Sequence, residues 1–208
     1  MSCISLSCQP CRGAVATALF ALLAACGGGG GGSDAAAPAA GTVTGAAPAA
    51  SSPAATPATS TGSTCNLPDF RASVLARINQ VRASGANCGA DGNFGAAAPL
   101  TWNDKLTVAA EGHSQDMAAK NYFSHTSADG RTLADRVSAT GYAWSSLGEN
   151  IAAGYPTINA VMDGWIASPG HCANLMHAGF AEVGVVCVPG APGDTYSTYW
   201  TMDLGQPR

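Results

Sequence analysis

The chain has 208 residues and a formal net charge of −4, with 47% hydrophobic and only 11% charged residues. All but Arg12 and Asp34 of its 9 basic and 13 acidic residues lie from Cys65 onward, so that part also carries −4. No cluster of Lys and Arg exists that could release counterions from a polyanion, which excludes nucleic acid as a partner and excludes a basic membrane-binding helix.

Residues 13–25, GAVATALFALLAA, form an apolar run preceded by Arg12. That run is too short to span a bilayer and suits the apolar centre of a signal peptide. Its last residues with the next, Leu23-Ala24-Ala25-Cys26, resemble a bacterial lipobox. The resemblance implies removal of residues 1–25, a lipid on Cys26 and a membrane as partner. Gly27, rather than Asp, after that cysteine points to the outer membrane or cell surface. From Gly27 to Thr64 the chain is Gly, Ala, Ser, Thr and Pro apart from Val43 and Asp34, the lone charge. Such a segment has almost nothing to bury, so residues 26–64 are expected to form a disordered tether. Residues 65–208 remain as one domain, large enough to bury roughly two thirds of the surface its unfolded chain exposes.

Within it, Asp69 precedes an apolar stripe of Phe70, Val74, Ile78 and Val81, predicting an N-cap and a first helix that ends near Gly85. A Gly/Ala-rich loop runs to Pro99. Asn103 is expected to cap a second helix reaching Lys120, with Leu106, Ala109, Ala110, His113 and Met117 on its inner face. A third helix is predicted over Thr132–Thr140, stopped by Gly141, and a fourth over Thr157–Ala167, stopped by Ser168-Pro169-Gly170. The pattern then changes period. Glu182–Val188 and Tyr196–Leu204 read as two strands of an antiparallel hairpin. Helices with a small antiparallel sheet define an α+β domain.

Beside Cys3, Cys8 and Cys11 in the leader and the lipidated Cys26, four cysteines are left: Cys65, Cys88, Cys172 and Cys187. An oxidising compartment predicts that they pair, in one of three ways. Cys65 with Cys88, and Cys172 with Cys187, is the favoured connectivity; a free thiol at Cys172, next to His171, is the alternative.

Three short motifs place titratable groups at helix ends or in loops, where binding residues concentrate. They are Asn121-Tyr122-Phe123-Ser124-His125-Thr126, Gly148-Glu149-Asn150-Ile151-Ala152 and Trp165-Ile166-Ala167-Ser168-Pro169-Gly170-His171. Each alone reads as readily as a capping or hydrogen-bonded structural residue. Together with Asp69-Phe70, Ile78-Asn79-Gln80-Val81-Arg82, Leu100–Leu106 and Glu182-Val183-Gly184-Val185, their order resembles the bacterial branch of the CAP superfamily. That superfamily takes in cysteine-rich secretory proteins, insect venom antigens and plant pathogenesis-related proteins.

The resemblance implies a secreted three-layer α-β-α sandwich with a shallow cleft formed by His125, Glu149 and His171. Relatives often carry a second Glu three residues after the tryptophan of the fourth helix; here that position is Ser168. His125 and His171 are candidate ligands for Zn²⁺ or another divalent metal, and Glu149 is a candidate catalytic base for a metal-bound water. No His-Glu-x-x-His or Gly-x-Ser-x-Gly pattern occurs in the sequence, which favours a non-enzymatic binding module for a lipid, cell-wall or protein ligand. A metal-assisted hydrolase and a purely structural cleft are the alternatives. His113 is expected in the core or behind the site, His177 in a loop, and Glu182 in a structural role.

Overall fold

Asn103 accepts hydrogen bonds from the backbone of Lys105 and Leu106 and so starts the longest helix. Thr132 and Asp135 close a reciprocal capping box on a shorter one. These local signals sit in a computed structural model that describes residues 63–208; the apolar leader, the lipobox ending at Cys26 and the tether as far as residue 62 lie outside the described residues. In chain order the elements are α1 (Phe70–Ser84), β1 (Ala86–Asn87), β2 (Asn93–Phe94), β3 (Thr101–Trp102), α2 (Asp104–Lys120), α3 (Leu133–Ala139), β4 (Trp144–Ala153), α4 (Ile158–Ala167), α5 (Pro169–Met176), β5 (Glu182–Pro189) and β6 (Thr198–Pro207).

Four strands form the central sheet in the order β3-β5-β6-β4. β5 and β6 pair antiparallel, as do β6 and β4, whereas the short β3 runs parallel to β5. The sheet is therefore mixed rather than wholly antiparallel. Alternation along the strands builds two layers of core. Val183, Val185 and Cys187 of β5, with Trp200, Met202 and Leu204 of β6, pack with Phe70, Val74 and Ile78 of α1, Val161 and Trp165 of α4, and Leu175 of α5. The opposite face receives α2 and α3: Thr201 meets Ser114 of α2 at 2.7 Å, and Tyr199 packs with Met117. Leu106 and Ala109 of α2 close with Val137 of α3 and Tyr142. The result is the α+β sandwich expected, with helices on both faces.

Three sequence expectations are corrected here. Asp69 stands before α1 but lies in the left-handed region at φ 47°, and its side chain caps nothing. Ser168-Pro169-Gly170 does not end the helical region. Ser168 closes α4 and Pro169 starts α5, since a proline at the first helical position lacks only a donor that has no intrahelical partner there. The cysteines pair as Cys65–Cys187 and Cys88–Cys172, with sequence separations of 122 and 84. Pairing by nearness in sequence fails because topology places distant segments side by side. The chain at Ser63–Cys65 runs along the end of β5, with backbone hydrogen bonds from Cys187 to Ser63 and from Cys65 to Cys187. The turn at Cys88 packs on α5, so Cys172 is neither free nor bonded to Cys187.

Candidate functional site

The Gly148-Glu149-Asn150 motif lies in β4, an edge strand, rather than in a loop beside a helix end. Its three residues divide the labour between faces. Gly148 leaves room for the ring of Phe180, which a Cβ would meet at 2.8 Å. Glu149 turns to the α2/α3 side and meets Arg136 of α3. Asn150 turns the other way, donating to the backbone oxygen of His171 in α5 at 3.0 Å and accepting from Asn174. Two adjacent polar residues on one edge strand thus hold a histidine-bearing element on each side of the sheet.

His125 follows α2, in a loop gripped from three directions. Asp116 of α2 accepts from the Tyr122 hydroxyl at 2.5 Å and from the backbone of Ala128 at 3.0 Å. His113, fully buried in α2, lies 2.9 Å through Nε2 from the backbone oxygen of Ser124. Arg136 donates through Nη1 to the backbone oxygens of His125 and Arg131 and to the Ser127 hydroxyl. Burial first, outweighing the charge of Glu149, lowers the His113 pKa. A neutral His113 then carries its proton on Nε2 toward Ser124 and accepts the Ser127 hydroxyl on Nδ1.

Glu149 is the centre of this arrangement. It is 7% exposed, with Oε2 2.5 Å from Arg136 Nη2 and Oε1 2.7 Å from His125 Nδ1. Burial pushes its pKa up, but the His125 hydrogen bond and the charge and hydrogen bond of Arg136 outweigh that and leave it below the usual carboxylate range. An ionised Glu149 fixes the proton of His125 on Nδ1, leaving Nε2 as the imidazole's remaining lone pair on a side chain that is 57% exposed. The His171 pKa is lowered by burial and by the neighbouring His125. Glu149 thus joins His125 directly, and His171 lies near enough to His125 for the two rings to interact electrostatically, so the sequence-derived trio shares one neighbourhood.

Sequence reasoning missed two partners of the trio. Arg136 falls inside the predicted third helix and Asp203, the cross-strand register partner of Glu149, inside the second predicted strand, and no motif marks either as a site residue. Periodicity gives no signal for either. The sequence also placed no groove next to the trio. One of about 290 Å³ opens beside His171, lined among others by Phe123, Tyr155, Trp165, Ser168 and Tyr196. Phe123, 43% exposed, and Tyr196, both in its lining, pack as a tilted pair with ring centroids 5.7 Å apart. Ser168, where relatives often carry a second acid, is among the residues that line this groove.

Glu149 is committed on both oxygens, and among the described residues no group of three His, Cys, Asp or Glu side chains gathers to hold a metal ion. His177 packs on Phe180 as a tilted ring pair with centroids 4.6 Å apart, and Glu182 accepts from the buried Tyr142 hydroxyl at 2.6 Å, a structural contact.

Residues 75–204 match the family described as the Cysteine-rich secretory protein family, or CAP. The chain belongs to that family. Two relatives from Bacillus subtilis, the uncharacterized membrane protein YlbC and the uncharacterized protein YkwD, are 38% and 37% identical over 88 and 87 residues, 42% of this chain in each case. The aligned part spans 25% and 34% of those two proteins. An outer surface protein from Borrelia burgdorferi shares the fold at 17% identity and a TM-score of 0.55, over 66% of this chain and 92% of that one. An extracellular SCP-domain protein from Bacillus anthracis aligns at 27% identity with a TM-score of 0.49, over 65% of this chain and 41% of that one.

Proposed function

We propose that this CAP domain is a non-enzymatic binding module working outside the cytoplasm, and that it takes an uncharged, ring-bearing ligand such as a cell-wall saccharide. The ligand lies across the opening from His125 past His171 into the groove of Phe123 and Tyr196. The observation that carries this reading is the groove itself. Its lining combines aromatic surface with hydroxyl and imidazole groups and contains no Asp, Glu, Lys or Arg. Aromatic faces and a few placed polar groups are the usual furniture of a small-molecule site, and a neutral lining disfavours charged ligands. The preorganised imidazoles at one end add directional hydrogen bonds at little entropic cost.

Action outside the cytoplasm is supported by the signal-like run ending at Cys26, by the two disulfides and by relatives named as extracellular and outer-surface proteins. In this reading the lipid on Cys26 fixes the chain to a membrane, and residues 27–62 give the domain reach. A divalent ion such as Zn²⁺ would find two protein ligands, Nε2 of His125 and a ring nitrogen of His171, with water completing its shell. That set falls short of the three protein ligands of a catalytic zinc site, so no reaction step is assigned to it.

Calorimetric titration of the full chain with soluble N-acetylglucosamine oligomers, uncharged cell-wall saccharides, tests the reading. Saturable binding is expected, weakened about tenfold or more by Phe123→Ala, as for an exposed aromatic anchor. Equal affinity in that variant, or no saturable binding, overturns it.

A further inference from the structure

On the same face of the sheet as Glu149, one strand further in, stands Asp203. The two are register partners across β4 and β6, and Asp203 is 0% exposed. Its partner on the β5 side is Gly184, which offers no side chain. Neither carboxyl oxygen meets a donor among the described residues. The charged groups acting on it are Glu149 from β4 and Arg136 from α3. Arg136 is already engaged through Nη2 with Glu149 and through Nη1 with the 125–131 loop, and its Nε is buried without an acceptor, so it does not reach Asp203 either. His113 from α2 and His125 act on Glu149 instead.

An ionised carboxylate enclosed in this way, facing a second carboxylate, has no compensation for its lost hydration. One proton between the two groups removes the conflict and turns a repulsion into a short, charge-assisted hydrogen bond. We propose that Asp203 holds a proton at neutral pH and donates it to Glu149, forming a carboxyl–carboxylate pair behind the cleft in which Asp203 is the positioning residue for Glu149. Burial, and then the charge of Glu149, push the Asp203 pKa well up against the pull of Arg136. The cleft thereby has a second acidic side chain that its surface does not display, and the chain of contacts runs from Asp203 through Glu149 to His125. The pair stands independently of what the cleft binds.

The full chain and its Asp203→Asn variant test this, because asparagine copies a neutral carboxyl in shape and keeps a donor toward Glu149. Above about pH 4, the unfolded wild type gives up a proton that the folded state keeps. The folding equilibrium of the variant should therefore gain on that of the wild type by up to about tenfold per pH unit as the pH rises. An ionised, structurally paired Asp203 gives the opposite slope, and a gap that does not change with pH equally overturns the proposal. Infrared spectra of the wild type labelled with carboxyl-¹³C aspartate supply a second readout that needs no variant. A protonated-carboxyl stretching band from aspartate is expected at neutral pH; a spectrum with carboxylate bands alone contradicts the pair.

Discussion

Arg136 is the residue on which the charges of the site balance. It is buried, ion-paired with Glu149 and hydrogen-bonded to two backbone oxygens of the loop that carries His125. Removing one partner of a buried pair leaves the other charge uncompensated, so Arg136→Leu should lower stability by about 3–5 kcal/mol in chemical denaturation; a loss under about 1 kcal/mol would show that the pair is not formed. Asp116 grips the same loop. Burial pushes its pKa up, but the hydrogen bonds of Lys120 and Tyr122 outweigh that and lower it to about 2. A depressed carboxyl contributes stability that is present above its unfolded value near 3.9 and is lost as the pH falls through its folded value. The margin of wild type over Asp116→Asn in melting temperature should therefore be full at neutral pH and shrink between about pH 4 and pH 2; a margin independent of pH would contradict the assignment. At this scale the sequence shows His125, Glu149 and His171 because each sits in a short ordered motif. It hides Arg136 and Asp203, whose roles depend on which strand lies beside β4.

Among the elements that the sequence does not show, β4 and α5 are concealed for different physical reasons. β4 reads Trp144-Ser-Ser-Leu-Gly-Glu-Asn-Ile-Ala-Ala, poor in β-branched residues and without apolar alternation, because both of its faces are covered and two of its positions serve polar networks. α5 was masked by a Pro-Gly pair that elsewhere marks a turn. By contrast α2 and α3 were legible to within a residue, since their capping residues are local signals. The contact between α2 and β5 depends on Gly184, where a Cβ would lie 2.2 Å from the backbone nitrogen of Thr107. Gly184→Ala has to push a helix off the sheet rather than shift a side chain, and a cost of about 1–3 kcal/mol is expected, read as a lower denaturation midpoint. An unchanged midpoint would mean that the helix sits further out than described.

At the scale of the domain, helices pack on both faces of a mixed sheet, and the disulfides tie its periphery. Cys65–Cys187 fastens the entry of the chain to β5, and Cys88–Cys172 fastens the loop after α1 to α5. Each closes a loop long enough that, on chain-entropy grounds, it stabilises by about 4–5 kcal/mol, less any structure retained in the unfolded state. Reduction should therefore lower the melting temperature markedly, and more than the local pairing Cys65–Cys88 would allow. The α+β class was legible from periodicity. The sandwich itself came from the resemblance of the ordered motifs, and the disulfide connectivity was not legible because it follows from the sheet order.

The central claim is that the imidazole pair and the aromatic groove act as one binding surface. It is tested most directly by following the ring resonances of His125, His171, Phe123 and Tyr196 by NMR while soluble N-acetylglucosamine oligomers are added to the full chain. The account predicts saturable shifts in all four rings with one common dissociation constant. Shifts confined to the groove, to the histidines or to a different face of the domain would contradict it.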